Sequence, residues 1–361
     1  MTRAAAEYRD RDQQRSGMRA FMVHGPGRHG LSTVEDPAPG PGEVLVAPAA
    51  VGICGSDLEL LDGRRPANYV RYPVVPGHEW AGYVVATGQG VTWLEPGTPV
   101  VAEGVRSCGT CGRCGEGRTN LCTGRPYAET GFTHAGALAE RMVVPAGLVH
   151  ELAAGRSIAS AALIEPAACV ATGLLEVGAP RAGSRVAVVG DGPLGLLACT
   201  LLRLACPRDL VLFGSRPRRV AYAPAFGATA ALLREKASGA GVLGSFDLVV
   251  DCTNVASGAA TALSLARRAG TVLLLGISGE GASAVDPDVV SLGHLRVQGV
   301  FAASRPAWQW LVSLYDAGLF DPGALITHRF NLDDVDQAFA VLGDRTAGAL
   351  KVVVEPNRKD V

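Results

Sequence analysis

Apolar positions along the chain follow two different rhythms. From Met18 to about Pro145 they come as short β-branched runs cut by Gly and Pro, among them GEVLVAPAAVGIC, AGYVVATG, TPVVAEG and LAERMVVP. This pattern predicts an antiparallel β-rich domain with long loops. From Arg185 the rhythm changes to apolar strands separated by Ala- and Leu-rich stretches of mostly helical character: VAVVG (186–190), LVLFG (210–214), FDLVVDC (246–252), TVLLLGI (271–277) and LRVQGVF (295–301). Strands alternating with helices predict βαβ units and a doubly wound parallel sheet, so the fold class is α/β. Beyond Phe301 a helical stretch around Trp308 to Asp316 leads through ALITHRFNL to a closing strand, LKVVVE, expected to return to the first domain. The parallel sheet is then an insertion in a discontinuous β-rich domain: 18–160 with 303–361 around 161–302.

Size agrees with two domains, because 361 residues exceed the roughly 250–300 at which single cores stop growing. A hydrophobic fraction of 48% excludes a disordered chain, and a formal net charge of -1 gives no basic footprint for nucleic acid. No apolar stretch approaches the ~18 residues of a membrane span, so no membrane partner is expected. Residues 1–17, MTRAAAEYRDRDQQRSG, are polar and charged, with no apolar segment of the signal-peptide kind, and are expected to form a disordered extension. Nine cysteines, four of them in one short run, suit metal binding in a reducing compartment better than a disulfide framework. A cytoplasmic location is expected.

That run, Cys108, Cys111, Cys114 and Cys122 in a glycine-rich loop spanning 104–125, has the spacing C-x2-C-x2-C-x7-C. Four thiolates this close can wrap one ion tetrahedrally and leave no open position, the arrangement of a structural zinc site. An iron–sulfur cluster is the competing reading, but the C-x3-C-P ending of bacterial ferredoxins is missing. Three other segments carry zinc-ligand chemistry: Cys54-Gly-Ser56-Asp57, Gly77-His78-Glu79 and Glu165-Pro166. A catalytic zinc needs three protein ligands and an open fourth position.

Gly190-Asp-Gly192-Pro193-Leu194-Gly195 follows VAVV directly and opens a helical stretch. Its glycines permit a tight turn and close approach of the backbone to a pyrophosphate seated on the helix N-terminus. NAD enzymes place an acid about 20 residues further on, to bond the ribose hydroxyls. Here the region reads Gly214-Ser215-Arg216-Pro217-Arg218-Arg219, with no acid. Gly214 leaves space, Ser215 can donate to a phosphate, and Arg216 with Arg219 can pair with a 2′-phosphate in planar guanidinium geometry. NADP(H) is therefore expected in preference to NAD(H).

The order and spacing of Cys54-Gly-Ser-Asp57, Gly77-His-Glu79, the four-cysteine lobe, Glu165-Pro and the dinucleotide motif resemble the zinc-dependent medium-chain dehydrogenases over essentially the whole chain after Met18. The resemblance implies a GroES-like catalytic domain joined to a Rossmann sheet, two zinc ions per chain, a homodimer or homotetramer, and hydride transfer on a small-molecule alcohol or ketone. By it, Cys54 and His78 are zinc ligands, and Glu165 stands where polyol-dehydrogenase-like members place a carboxylate. Glu79 is either the third ligand or an exchanging carboxylate beside it. Asp57 resembles the residue that orients the His78 ring, and Ser56 the hydroxyl that passes the substrate proton toward solvent. The family's relay histidine is replaced by Glu59, a relay base or substrate contact or else a solvated loop charge.

Thr253, Gly276 and Val300 fall where strand ends usually line the cofactor, and Lys351 matches a basic residue near the pyrophosphate. The closest likeness is to polyol, sugar and threonine dehydrogenases. Ala302 and Ala303, however, stand where polyol dehydrogenases carry an arginine after GVF, with Arg305 nearby. A secondary alcohol or ketone is expected, such as a polyol, sugar, cyclitol or secondary-metabolite intermediate. The rivals are a zinc-independent enoyl reductase of the same superfamily and an inactive zinc-binding structural protein.

Overall fold

The computed structural model describes residues 17–239, 241–278 and 284–357. The expected disordered extension lies outside them, apart from Gly17. The chain divides into two compact units, Met1–Glu165 with Trp308–Val361, and Pro166–Ala307.

In the first unit the strands are β1 (Met18–Gly25), β2 (Arg28–Val34), β3 (Glu43–Ile53), β4 (Glu79–Thr87), β5 (Pro99–Ala102), β6 (Met142–Pro145) and β7 (Val149–Glu151). β1 and β2 form an antiparallel hairpin of their own. The others join two strands from the far end of the chain, β14 (Ile326–Asn331) and β15 (Lys351–Glu355), in a sheet ordered β14-β15-β3-β4-β5-β7, with β6 also paired to β3. Sequence rhythm predicts an antiparallel domain; the sheet is mixed, because β14 and β15 run parallel to each other. The helix Val335–Gly343 between them carries the chain back to the same end, as a parallel connection requires. Phe21, Trp80, Phe132, Leu138 and Phe339 are buried in one apolar cluster with the inward faces of β3 and β4.

The second unit holds β8 (Arg185–Val189), β9 (Asp209–Gly214), β10 (Ala230–Leu233), β11 (Phe246–Asp251), β12 (Ala266–Leu274) and β13 (Arg296–Gly299). Every pairing is parallel and the order is β10-β9-β8-β11-β12-β13. This is the doubly wound order 3-2-1-4-5-6, whose direction reverses between β8 and β11, so a ligand crevice is expected at the carboxyl ends of those strands. Strands buried on both faces read as continuous apolar runs, which is why β8, β9 and β11 were visible in the sequence. β10 was not, since AALL has neither alternation nor β-branching. Among the described residues no helix is long and apolar enough to cross a membrane.

Candidate active site

Pairing in the first unit's sheet brings distant residues to one end. β3 and β4 run antiparallel with Gly52 opposite Glu79, so the exit of β3 and the entrance of β4 are neighbours. Cys54 follows β3 and caps the helix Gly55–Asp62, while His78 immediately precedes β4. β15 lies on the other side of β3 with Val352 opposite Ile53, which sets Lys351 at the same end.

Donor atoms of Cys54, His78 and Glu79 all lie within 4.8 Å of one another. Asp57 ties two of these residues together: its Oδ2 accepts the Cys54 N–H at 2.9 Å, and its Oδ1 stands 3.3 Å from His78 Nδ1. Nδ1 thus faces a carboxylate, and Nε2 is left to face a metal. Burial alone would lower the His78 pKa, but the Asp57 carboxylate beside it outweighs this and holds it well above the usual value. Burial opposes ionisation of Asp57 too, yet the attraction of His78 and the Cys54 N–H leave its pKa lowered. Phe132 packs on the His78 ring with centroids 4.7 Å apart. Over that phenyl ring sits the Arg65 guanidinium, 3.4 Å from its centroid and paired with Glu129 at 2.6 Å.

Glu79 is buried against Lys351, with Nζ 2.6 Å from Oε1 and 2.5 Å from Oε2. An ammonium out of water needs such a partner. Burial would lower the Lys351 pKa, but Glu79 and, at longer range, Cys54 and Glu165 raise it. A Cβ at Gly52 would come within 2.3 Å of Glu79 Oε2, so only glycine leaves room for this pair. Glu165, in the first turn of the helix Ile164–Val177, stands outside the three-residue group but carries a carboxyl pushed up to about 8. Desolvation is the main cause and the repulsion of Glu79 and Glu129 adds to it, against the attraction of His78. Cysteine, histidine and carboxylate together are a donor set that fits zinc.

The four-cysteine lobe has its own geometry. Cys111 Sγ lies 3.5 Å from Cys114 Sγ and 3.9 Å from Cys122 Sγ, and Cys108 Sγ lies 3.9 Å from Cys114 Sγ. Zinc–sulfur bonds of about 2.3 Å at tetrahedral angles put sulfurs about 3.8 Å apart, so the four thiols fit one zinc ion. Backbone N–H groups of neighbouring residues lower the Cys108 and Cys111 thiols to about 7 and about 5, while desolvation and the adjacent thiols raise Cys114 to about 11.

In the second unit the Gly190–Gly195 loop joins β8 to the helix Pro193–Leu202, with Gly192 at its N-cap and Pro193 in its first turn. A Cβ at Gly195 would lie 2.0 Å from the Gly190 carbonyl oxygen, which sets how closely helix and strand pack.

Residues 40–154 match the Alcohol dehydrogenase GroES-like domain, and residues 193–317 match the Zinc-binding dehydrogenase family. An L-threonine 3-dehydrogenase of Francisella tularensis subsp. tularensis (strain WY96-3418) is 30% identical over 335 residues, covering 88% of this chain and 93% of its own. A zinc-binding dehydrogenase structure from Sinorhizobium meliloti 1021, bound to NADP, has a TM-score of 0.86 at 32% identity and covers 95% of this chain and 100% of its own. An alcohol dehydrogenase from Escherichia coli CFT073, complexed with NADH, has the same TM-score of 0.86 at 28% identity, with 95% and 100% covered. The chain belongs to the zinc-type medium-chain dehydrogenase family.

Membership makes the chain a dehydrogenase, and the residues that its sequence singled out can now be placed. Cys54, Ser56, Asp57 and Glu59 share one capped helix start, and Ser56 and Glu59 are half-buried there. Gly190, Gly214, Thr253, Gly276 and Val300 gather at the carboxyl ends of β8, β9, β11, β12 and β13; a Cβ at Gly276 would strike the Thr253 carbonyl oxygen at 1.6 Å. Lys351, matched in sequence to a basic residue near the pyrophosphate, has its ammonium buried in the first unit and paired with Glu79. Sequence reasoning missed the Arg65–Glu129 pair and Phe132 altogether, because none of them belongs to a short motif and only the folded sheet brings them to His78.

Proposed function

We propose that the chain is a zinc-dependent dehydrogenase that moves a hydride between NADP(H) and a secondary alcohol or its ketone. The observation that carries this reading is the closure of Cys54, His78 and Glu79 to within 4.8 Å at one end of the sheet, with Glu165 at hand as an alternative carboxylate. Zinc there supplies Lewis-acid polarisation of the substrate oxygen. Asp57 fixes the His78 ring, and the Ser56 hydroxyl passes the substrate proton toward solvent, with Glu59 as the next acceptor. The lobe of Cys108, Cys111, Cys114 and Cys122 holds a second, structural zinc. Its expected signature is that Cys111→Ser binds one zinc fewer and melts at a lower temperature while residual turnover persists; full metal content and an unchanged melting curve would count against it.

NADP(H) is supported by the absence of an acid after β9 and by Ser215, Arg216 and Arg219 in its place. Arg216→Ala is expected to raise the KM for NADPH roughly 10- to 100-fold, the value of a charge-assisted hydrogen bond, and to leave NADH nearly unaffected. Equal efficiency with both cofactors in the wild type would sink the preference. The substrate belongs with polyols, sugars, cyclitols or related ketones, but Ala302 and Ala303 in place of an arginine argue against a simple sorbitol-type polyol. A panel of alcohols and ketones assayed at the reduced-nicotinamide absorbance with both cofactors, on protein of measured zinc content, tests the whole reading. Activity in a metal-free protein, above all on an enoyl substrate, would overturn it. A homo-oligomer joined along β13 is supported by that strand's place at the sheet edge and by exposed Val285, Val289, Leu292 and Val297 around it.

A further inference from the structure

The middle residue of the first glycine loop, Asp191, has no part in the motif logic that singled out its neighbours. Only 2% of it is exposed, although charged side chains are seldom so buried without partners. Among the described residues its hydrogen-bond partners come from the loop after β9. Oδ2 accepts the N–H groups of Ser215 at 2.8 Å and Arg216 at 2.7 Å, and Oδ1 accepts Arg216 Nε at 3.2 Å and Nη2 at 3.0 Å. Space is exclusive as well: a Cβ at Gly214 would lie 2.7 Å from Asp191 Cβ and 2.8 Å from its Oδ2. The end of β9 therefore cannot carry a side chain of its own while Asp191 occupies this position.

Asp191 is not the missing ribose acid moved to another loop. A carboxylate offers about four acceptor sites, and the chain's own donors take four bonds from this one. What those bonds fix is Arg216, at both its backbone and one edge of its guanidinium. The opposite edge, with Nη1, is turned away from Asp191, and 42% of the side chain is exposed. Guanidinium is planar, so holding one edge aims the other and removes rotamer freedom that a phosphate would otherwise have to quench on binding.

We propose that Asp191 is a positioning residue for cofactor choice: it holds the Ser215–Arg216 backbone and the Arg216 plane ready for the 2′-phosphate before the cofactor arrives. This rests on the NADP(H) reading above. Its effect should appear as discrimination between cofactors and should pass through Arg216.

The test is fluorescence titration of the zinc-loaded full chain with NADPH and with NADH, in the wild type, Asp191→Asn, Arg216→Ala and the double variant. Asp191→Asn is expected to weaken NADPH about tenfold, leave NADH nearly unchanged and add nothing further in the Arg216→Ala background. Equal loss of both cofactors would show a merely structural role and overturn the proposal, as would unchanged or tighter NADPH binding. If Asp191→Asn does not fold, Arg216→Lys keeps the charge but loses the two-point hold on Asp191; an undiminished NADPH preference in that variant also overturns the proposal. A wild type that binds both cofactors equally removes the NADP(H) reading and this proposal with it. A wild type that prefers NADPH beside an Asp191→Asn variant that keeps the preference removes the role of Asp191 alone.

Discussion

Cys54→Ser is expected to lower kcat/KM by at least about 10³ while the protein stays folded. The thiol is half-buried at the start of the helix Gly55–Asp62, and its replacement removes one of three donors that close to within 4.8 Å. Losing the Lewis-acid contribution of a catalytic metal is worth several kcal/mol, and about 4 kcal/mol corresponds to about 10³ in rate. Stability should change little, because Asp57 accepts the Cys54 backbone N–H, which serine retains. Elemental analysis should find one zinc retained, since the sulfurs of Cys108, Cys111, Cys114 and Cys122 form a separate cluster. Turnover near the wild-type level, or undiminished zinc, would defeat the assignment of Cys54 as a ligand.

Lys351→Met should give the second large effect, this time on stability. Both Lys351 and Glu79 are almost wholly buried, with 4% and 1% exposed, so in protein with no metal at Cys54, His78 and Glu79 the substitution strands a carboxylate without its lysine counter-charge. Breaking a buried pair from one side costs about 3–5 kcal/mol. The companion variant Glu79→Gln/Lys351→Met removes both charges and should recover much of that loss, which distinguishes an unpaired charge from a packing defect. Denaturant unfolding of the three proteins provides the measurement. A double variant no more stable than Lys351→Met would mean that the pair acts through something other than charge compensation.

These two expectations also mark how far the amino-acid sequence could be read. Cys54, His78 and the four cysteines of the lobe were legible because each sits in a short motif whose spacing already encodes geometry: Cys54 and Asp57 are one helical turn apart, and the four cysteines lie within a single loop. The parallel sheet was legible because strands buried on both faces are apolar throughout. The pairing of Lys351 with Glu79 was not legible because it depends on β15 lying beside β3, a pairing between residues about 300 positions apart that no local pattern records. Asp191 escaped notice for a related reason. In sequence it is a spacer between glycines, and only the approach of β9 to β8 gives it four donors.

The Glu79–Lys351 pair has a consequence for how the protein is made. Glu79 emerges from the ribosome 272 positions before its partner Lys351. Domains fold as units during synthesis, the N-terminal part first. The end of the sheet that carries Cys54 and His78 must therefore wait, with Glu79 lacking its lysine partner, until the intervening 142-residue unit Pro166–Ala307 has been produced and the chain has returned. A nascent protein truncated anywhere before β15 lacks the ammonium that pairs with Glu79. Closure of the end of the sheet that carries Cys54, His78 and Glu79 is thus tied to synthesis of β15.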